Sequence, residues 1–194
     1  MVKVGFIVEG ASERIIVESE MFQHLCRLAG YELVTPVVDA QGGGNLLPQN
    51  IEAFISRLDN ADAQHIFVLT DLEDEVSVTA VRDRIADRRI STIFVAVKAL
   101  EAWYLADTQA MNNWLGISDF YEEYPEATVE KPWDRLKEIA ADLGKRGPGN
   151  KVAFTKKIVK HWEFSLVRAA SHPNCPSAKE LTAYFSQGTE LETI

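Results

Sequence analysis

Residues 2–8, Val-Lys-Val-Gly-Phe-Ile-Val, constrain the fold more than any other stretch. A run this short and this apolar reads as a β-strand buried on both faces, the kind found inside parallel sheets. It stops abruptly at Glu9-Gly10. Helical spacing begins at once, with Ser12 placed to cap and Ile15, Ile16, Phe22, Leu25 and Leu28 on one side up to a stop at Gly30. The alternation then repeats. Residues 31–38 read as a strand, and a helix from about Pro48 carries Ile51, Phe54, Ile55 and Leu58. Residues 65–70 form the next strand, 76–89 a helix and 90–97 a further strand. Strands joined by helices must cross over before pairing, which makes them parallel. The predicted class is α/β, an open, mostly parallel sheet of about four strands flanked by helices.

From residue 99 onward the spacing is helical throughout. Residues 99–114 read as one helix or two, followed by 132–145, 150–162 and 177–187, with breaks at Gly147-Pro148-Gly149, Pro173 and Pro176. This is the expected helical C-terminal extension. A chain of 194 residues, 46% of them hydrophobic, can bury a core of its own. The expected division is an α/β core over 1–107 and a helical part over 108–194 packed on it in one compact domain. No apolar run approaches the ~18 residues of a spanning helix, and 2–8 is too short for a signal-peptide core, so the chain reads as cytoplasmic. Cys26 and Cys175 lie far apart without zinc-type spacing and read as idle reduced thiols.

A formal charge of −9 argues against nucleic acid as a partner until its distribution is considered. Residues 145–168 hold seven basic side chains against one acid, Glu163. Lys151, Lys156, Lys157 and Lys160 are therefore candidates for holding a nucleic-acid backbone. The competing reading makes them the wet face of an amphipathic helix whose packing stripe is Val152, Ile158, Val159 and Trp162.

Ligands of open α/β sheets bind beyond the carboxyl ends of the strands. Polar residues follow every expected strand here: Glu9, then Asp39, then Asp71 with Glu73 and Asp74, then Lys98 with Glu101. Gly10 permits the tight turn that would project Glu9 into the crevice. Glu13 reads as an acid stabilising the positive end of the first helix. In extended chain, residues two apart point the same way, so Asp71 and Glu73 could share a hard cation such as magnesium. A solvated acidic loop is the alternative. Lys98 could neutralise a phosphate or simply pair with Glu101. The loop Gly42-Gly43-Gly44 reads as flexible and lacks the Lys-Ser/Thr of a nucleotide-binding P-loop.

Glu9-Gly10-Ala11-Ser12-Glu13 after a first strand, with Asp71-Leu72-Glu73 after a later one, resembles the Toprim pattern of topoisomerases, primases and the overcoming-lysogenization-defect nucleases. Glu73 departs from the usual second aspartate. Glu101-Ala102-Trp103-Tyr104-Leu105-Ala106-Asp107 is similar to a segment of a Toprim-related bacterial family, domain of unknown function 4276. The resemblance spans roughly residues 2–181. It implies a Toprim-like nuclease hydrolysing phosphodiesters of DNA or RNA, with magnesium, or manganese as substitute, held by Glu9, Asp71 and Glu73. Glu101 and Lys98 would complete the catalytic set, with Gly10, Asp74 and Asp107 close by. It further implies a phage-defence or restriction-type setting with an ATPase partner. The alternative on the same fold is a non-catalytic regulatory or binding module, or a receiver-like phosphoacceptor at Asp71.

Overall fold

A computed structural model describes residues 1–186 of the chain. Five strands form one parallel sheet: β1 (Val2–Val8), β2 (Tyr31–Leu33), β3 (Val38–Asp39), β4 (His65–Asp71) and β5 (Ile90–Ala96). The order is β2-β1-β4-β5, with β3 also beside β1. The expected single strand at 31–38 is thus two pieces along one neighbour. Val4 pairs with Leu33 and Ile7 with Val38, so β1 advances less than its partner and the surplus loops out at Thr35-Pro36. Proline has no N–H for a ladder, which fixes the break there.

The α/β class expected from the apolar runs is the observed one. Alternate side chains of the central strands enter two cores. Phe6 and Val8, Phe67 and Leu69, Phe94 and Ala96 face one layer, while Ile7, Val68 and Val95 face the other. The second layer is covered by α3 (Glu52–Asp59) through Ile55 and Leu58, and by α4 (Val78–Ile85) through Val81 and Ile85.

The first layer lies under α1 (Ala11–Val17), α2 (Glu20–Leu28) and the C-terminal helices. The expected first helix is broken because Ser19 caps a new one, its hydroxyl accepting from the Phe22 N–H at 3.2 Å. Ser12 lies inside α1 instead of capping it. The 99–114 segment is likewise two helices, α5 (Glu101–Ala106) and α6 (Thr108–Leu115), parted at Asp107. Next come α7 (Pro132–Asp142), α8 (Lys151–His161), α9 (Leu166–Ser171) and α10 (Pro176–Tyr184). The expected end of the last helix, Gln187, lies outside the described residues. Phe185, just past α10, packs against Phe6 and Phe67 with ring centroids 6.1 and 5.6 Å apart, tying the helical part to the sheet.

A candidate carboxylate site at the strand ends

The sheet register decides what meets at the rim. Val8 pairs with Leu69, so Glu9 emerges beside Thr70 and Asp71. Its Oε2 accepts from the Thr70 hydroxyl at 2.5 Å and from the Asp71 N–H at 3.1 Å. The other carboxylate oxygen, Oε1, lies against Gly43, where an added Cβ would sit only 3.2 Å away. The glycine loop is therefore a wall of the site. Gly43–Leu46 is a 3-10 turn, more ordered than the glycine run suggests.

Asp71 closes β4 opposite Ala96 of β5, and its Oδ1 accepts from the Leu100 N–H at 2.8 Å. That N–H belongs to the turn that starts α5, whose first residue is Glu101. Glu101 is 3% exposed; its Oε1 meets the Lys151 ammonium at 3.0 Å, while its Oε2 is buried without a partner. An unpaired carboxylate oxygen in the interior is costly.

The fourth acid is Glu13, which a capping role had accounted for in the sequence. It is 7% exposed and its Oε2 leans toward Gly10, where a Cβ would lie 3.3 Å away. Burial, with repulsion from Glu9 and Glu101, pushes the Glu13 carboxyl up to about 7. Burial and then Glu13, Glu101 and Glu9 hold Asp71 well above the ordinary carboxylate range. Glu9, Glu13, Asp71 and Glu101 thus form one electrostatic group drawn from ninety residues of chain.

Two expected members sit differently. Glu73 and Lys98 both have left-handed backbone, φ 49° and 63°, and the Glu73 N–H donates to the Lys98 carbonyl at 2.9 Å. Left-handed conformations at two non-glycine residues store local strain, which is common beside functional sites. The turn also breaks the alternation that was to aim Glu73 with Asp71. Glu73 is exposed and shares only a cavity of about 390 Å3 with Asp71, Glu101, Lys98 and Lys151. The Lys98 ammonium goes neither to Glu101 nor into open solvent; the Thr128 carbonyl accepts from it.

Asp74 reaches only an exposed pair with Lys131 at 3.4 Å. Asp107 is fully buried and elsewhere occupied: it accepts from Arg168 Nε at 2.8 Å, from Arg168 Nη2 and from the N–H groups of Ser165 and Ala110. It anchors helices and lines a different cavity.

Lys151 corrects the reading of the basic helix. It points into the carboxylate site, and its ammonium lies 5.8 Å from the Trp133 ring centroid. Burial opposes its charge, but Glu101, with Asp71 and Glu13 behind, raises its pKa above the ordinary value. Lys156, Lys157 and Lys160 remain exposed on α8, unpaired with any acid among the described residues. The start of α8 is fixed by hydroxyls: Thr155 Oγ1 meets Tyr104 Oη at 2.9 Å and Ser12 Oγ at 3.3 Å.

Among the described residues, no three His, Cys, Asp or Glu side chains are already spaced as a metal cage. The donor set is nevertheless all hard oxygen, and the partnerless Glu101 Oε2 calls for a cation or a donor. Lys151 supplies one positive charge against these acids. Glu9, Asp71 and Glu101 offer the oxygens a hard cation takes, and the half-exposed Lys151 side chain holds the Glu101 end of the rim. No helix among the described residues is long and apolar enough to cross a membrane. No family model matches this chain, and neither a curated protein nor a solved structure does.

Proposed function

We propose that the chain is a magnesium-dependent, Toprim-like phosphodiesterase acting on nucleic acid. The observation that carries this reading is the convergence of Glu9, Asp71 and Glu101, with Glu13 behind them, on one strand-end rim where a buried oxygen lacks a partner. Buried like charges are costly, and their accumulation in a cleft is characteristic of sites that bind a cation. Magnesium, when bound, would polarise a phosphoryl oxygen and supply an acidified water.

The protein's own residues do the rest. Thr70 and the Asp71 N–H hold the Glu9 carboxylate in place. The Leu100 N–H fixes one oxygen of Asp71 and leaves the other for a ligand. Lys151, released from Glu101, is positioned to meet the substrate phosphate, and Glu13, buried behind Glu9 and Glu101, is the acid placed to hold or release a proton. The ATPase partner and the phage-defence or restriction-type setting belong to the same reading.

Labelled single- and double-stranded DNA and RNA, incubated with magnesium or manganese, test it. Cleavage should require the metal and fall about a hundred-fold or more in Asp71→Asn, the scale of removing one strong electrostatic contributor. Equal cleavage by the variant removes this mechanism. The existing Lys151–Glu101 pair favours a second reading, a non-catalytic module or an Asp71 phosphoacceptor. Labelling of Asp71 by a small phosphodonor, without cleavage, selects it.

A further inference from the structure

A third cavity, about 510 Å3, borders the first turns of α8 through Asn150, Ala153, Phe154 and Lys157. That volume lies inside the ~300–1,000 Å3 usual for small-ligand sites. Its lining includes Lys145, Arg146 and Lys157 and contains neither Asp nor Glu. On a chain carrying −9 overall, three cations around one acid-free hollow select an anion. None of the three pairs with an acid among the described residues. Lys145 has a structural role too, since its ammonium lies 3.8 Å from where a Gly116 Cβ would be, near the negative end of α6. Arg146 and Lys157 have no such explanation.

The remaining wall is aromatic. Trp114 and Trp162 are partly exposed, their ring centroids 6.2 Å apart, and Phe154 lies 4.8 and 5.5 Å from them. Cations beside accessible indoles match the two parts of a nucleotide, its phosphate and its flat base. A duplex hides its base faces in the stack, whereas a single strand can turn one outward.

We propose that this cavity binds one nucleotide of a single-stranded nucleic acid, the phosphate on Arg146 and Lys157 and the base against Trp114 or Trp162. The choice of ligand rests on the phosphodiesterase reading. Both cavities border α8, with Lys151 lining the carboxylate cavity and Lys157 this one. A strand crossing the start of that helix would occupy the pocket while an adjoining phosphate reached the carboxylates.

Fluorescence anisotropy of a short labelled oligothymidylate, titrated with the full chain in EDTA, isolates this pocket from metal chemistry. R146A/K157A changes only exposed side chains. It should weaken binding about a hundred-fold, one decade for each charged hydrogen bond lost. The slope of log K against log salt should become shallower by about 1.4. Ultraviolet crosslinking of a 5-iodouracil oligonucleotide should place the adduct on Trp114 or Trp162. Unchanged affinity in the double variant, equal affinity for duplex, or an adduct on another peptide each overturns the proposal. Binding and adduct that persist in a chain without cleavage support the pocket and remove only the phosphodiesterase.

Discussion

Four carboxylates gather at one strand-end rim, where like charge and burial make it costly to keep all of them ionised even with the Lys151 ammonium beside Glu101. Burial first, and then Glu9 and Glu101, push the Glu13 carboxyl up to about 7, and burial with the neighbouring acids raises Asp71 as well. A carboxyl raised on folding binds its proton more tightly in the folded state than in the unfolded one. Stability is therefore greatest below the ordinary value of 4.5, falls as pH rises toward 7, and levels off above it. The loss is on the order of 3 kcal/mol. Glu13→Gln should match the wild type in urea unfolding at pH 4.5 and exceed it at pH 8; equal stability at pH 8 would contradict the burial of a titrating acid. Glu13 was hard to find in the sequence because an acid in the first turn of a helix already has an ordinary explanation. Only the depth of α1 against α8, set by Thr155 and Ser12, separates the two roles.

Between elements, the junctions depend on single polar side chains. Asp107 caps α6 through the Ala110 N–H and grips α9 through Ser165 and Arg168. Asp107→Ala leaves the Arg168 guanidinium and two N–H groups without their acceptor. It should destabilise the fold by about 3 kcal/mol, read as a lower urea midpoint with unchanged slope. An unchanged midpoint would contradict the anchoring role of Asp107.

The strands were legible because buried apolar runs bounded by glycine, proline and acids have few other readings. The helix break at Ser19 carried a capping residue as its signal, yet the apolar spacing continued across it and concealed it, whereas at Asp107 the spacing left one helix or two open. The left-handed turn at Glu73 had no such signal. It depends on pairing with Lys98, which comes from a different strand end.

Over the whole molecule, parallel strand order does what no local motif can: it gathers Glu9, Asp71 and Glu101 from distant parts of the chain. That convergence followed from the alternation of strand and helix, because ligand-facing residues of such sheets share one edge. The inward turn of Lys151 did not follow, since a lysine on an amphipathic helix has the same sequence pattern whether it faces solvent or a carboxylate. Of the basic helix, Lys151 belongs to the carboxylate site, Lys157 lines the neighbouring cavity, and Lys156 and Lys160 lie on the surface. The proposed phosphodiesterase requires the rim to take a cation in place of the Lys151 ammonium. Crystals soaked in manganese test it directly through anomalous scattering. A peak within bonding distance of Asp71 and Glu101, with the Lys151 ammonium moved away from Glu101, is the predicted result; a rim without a peak and an intact Lys151–Glu101 pair would contradict it.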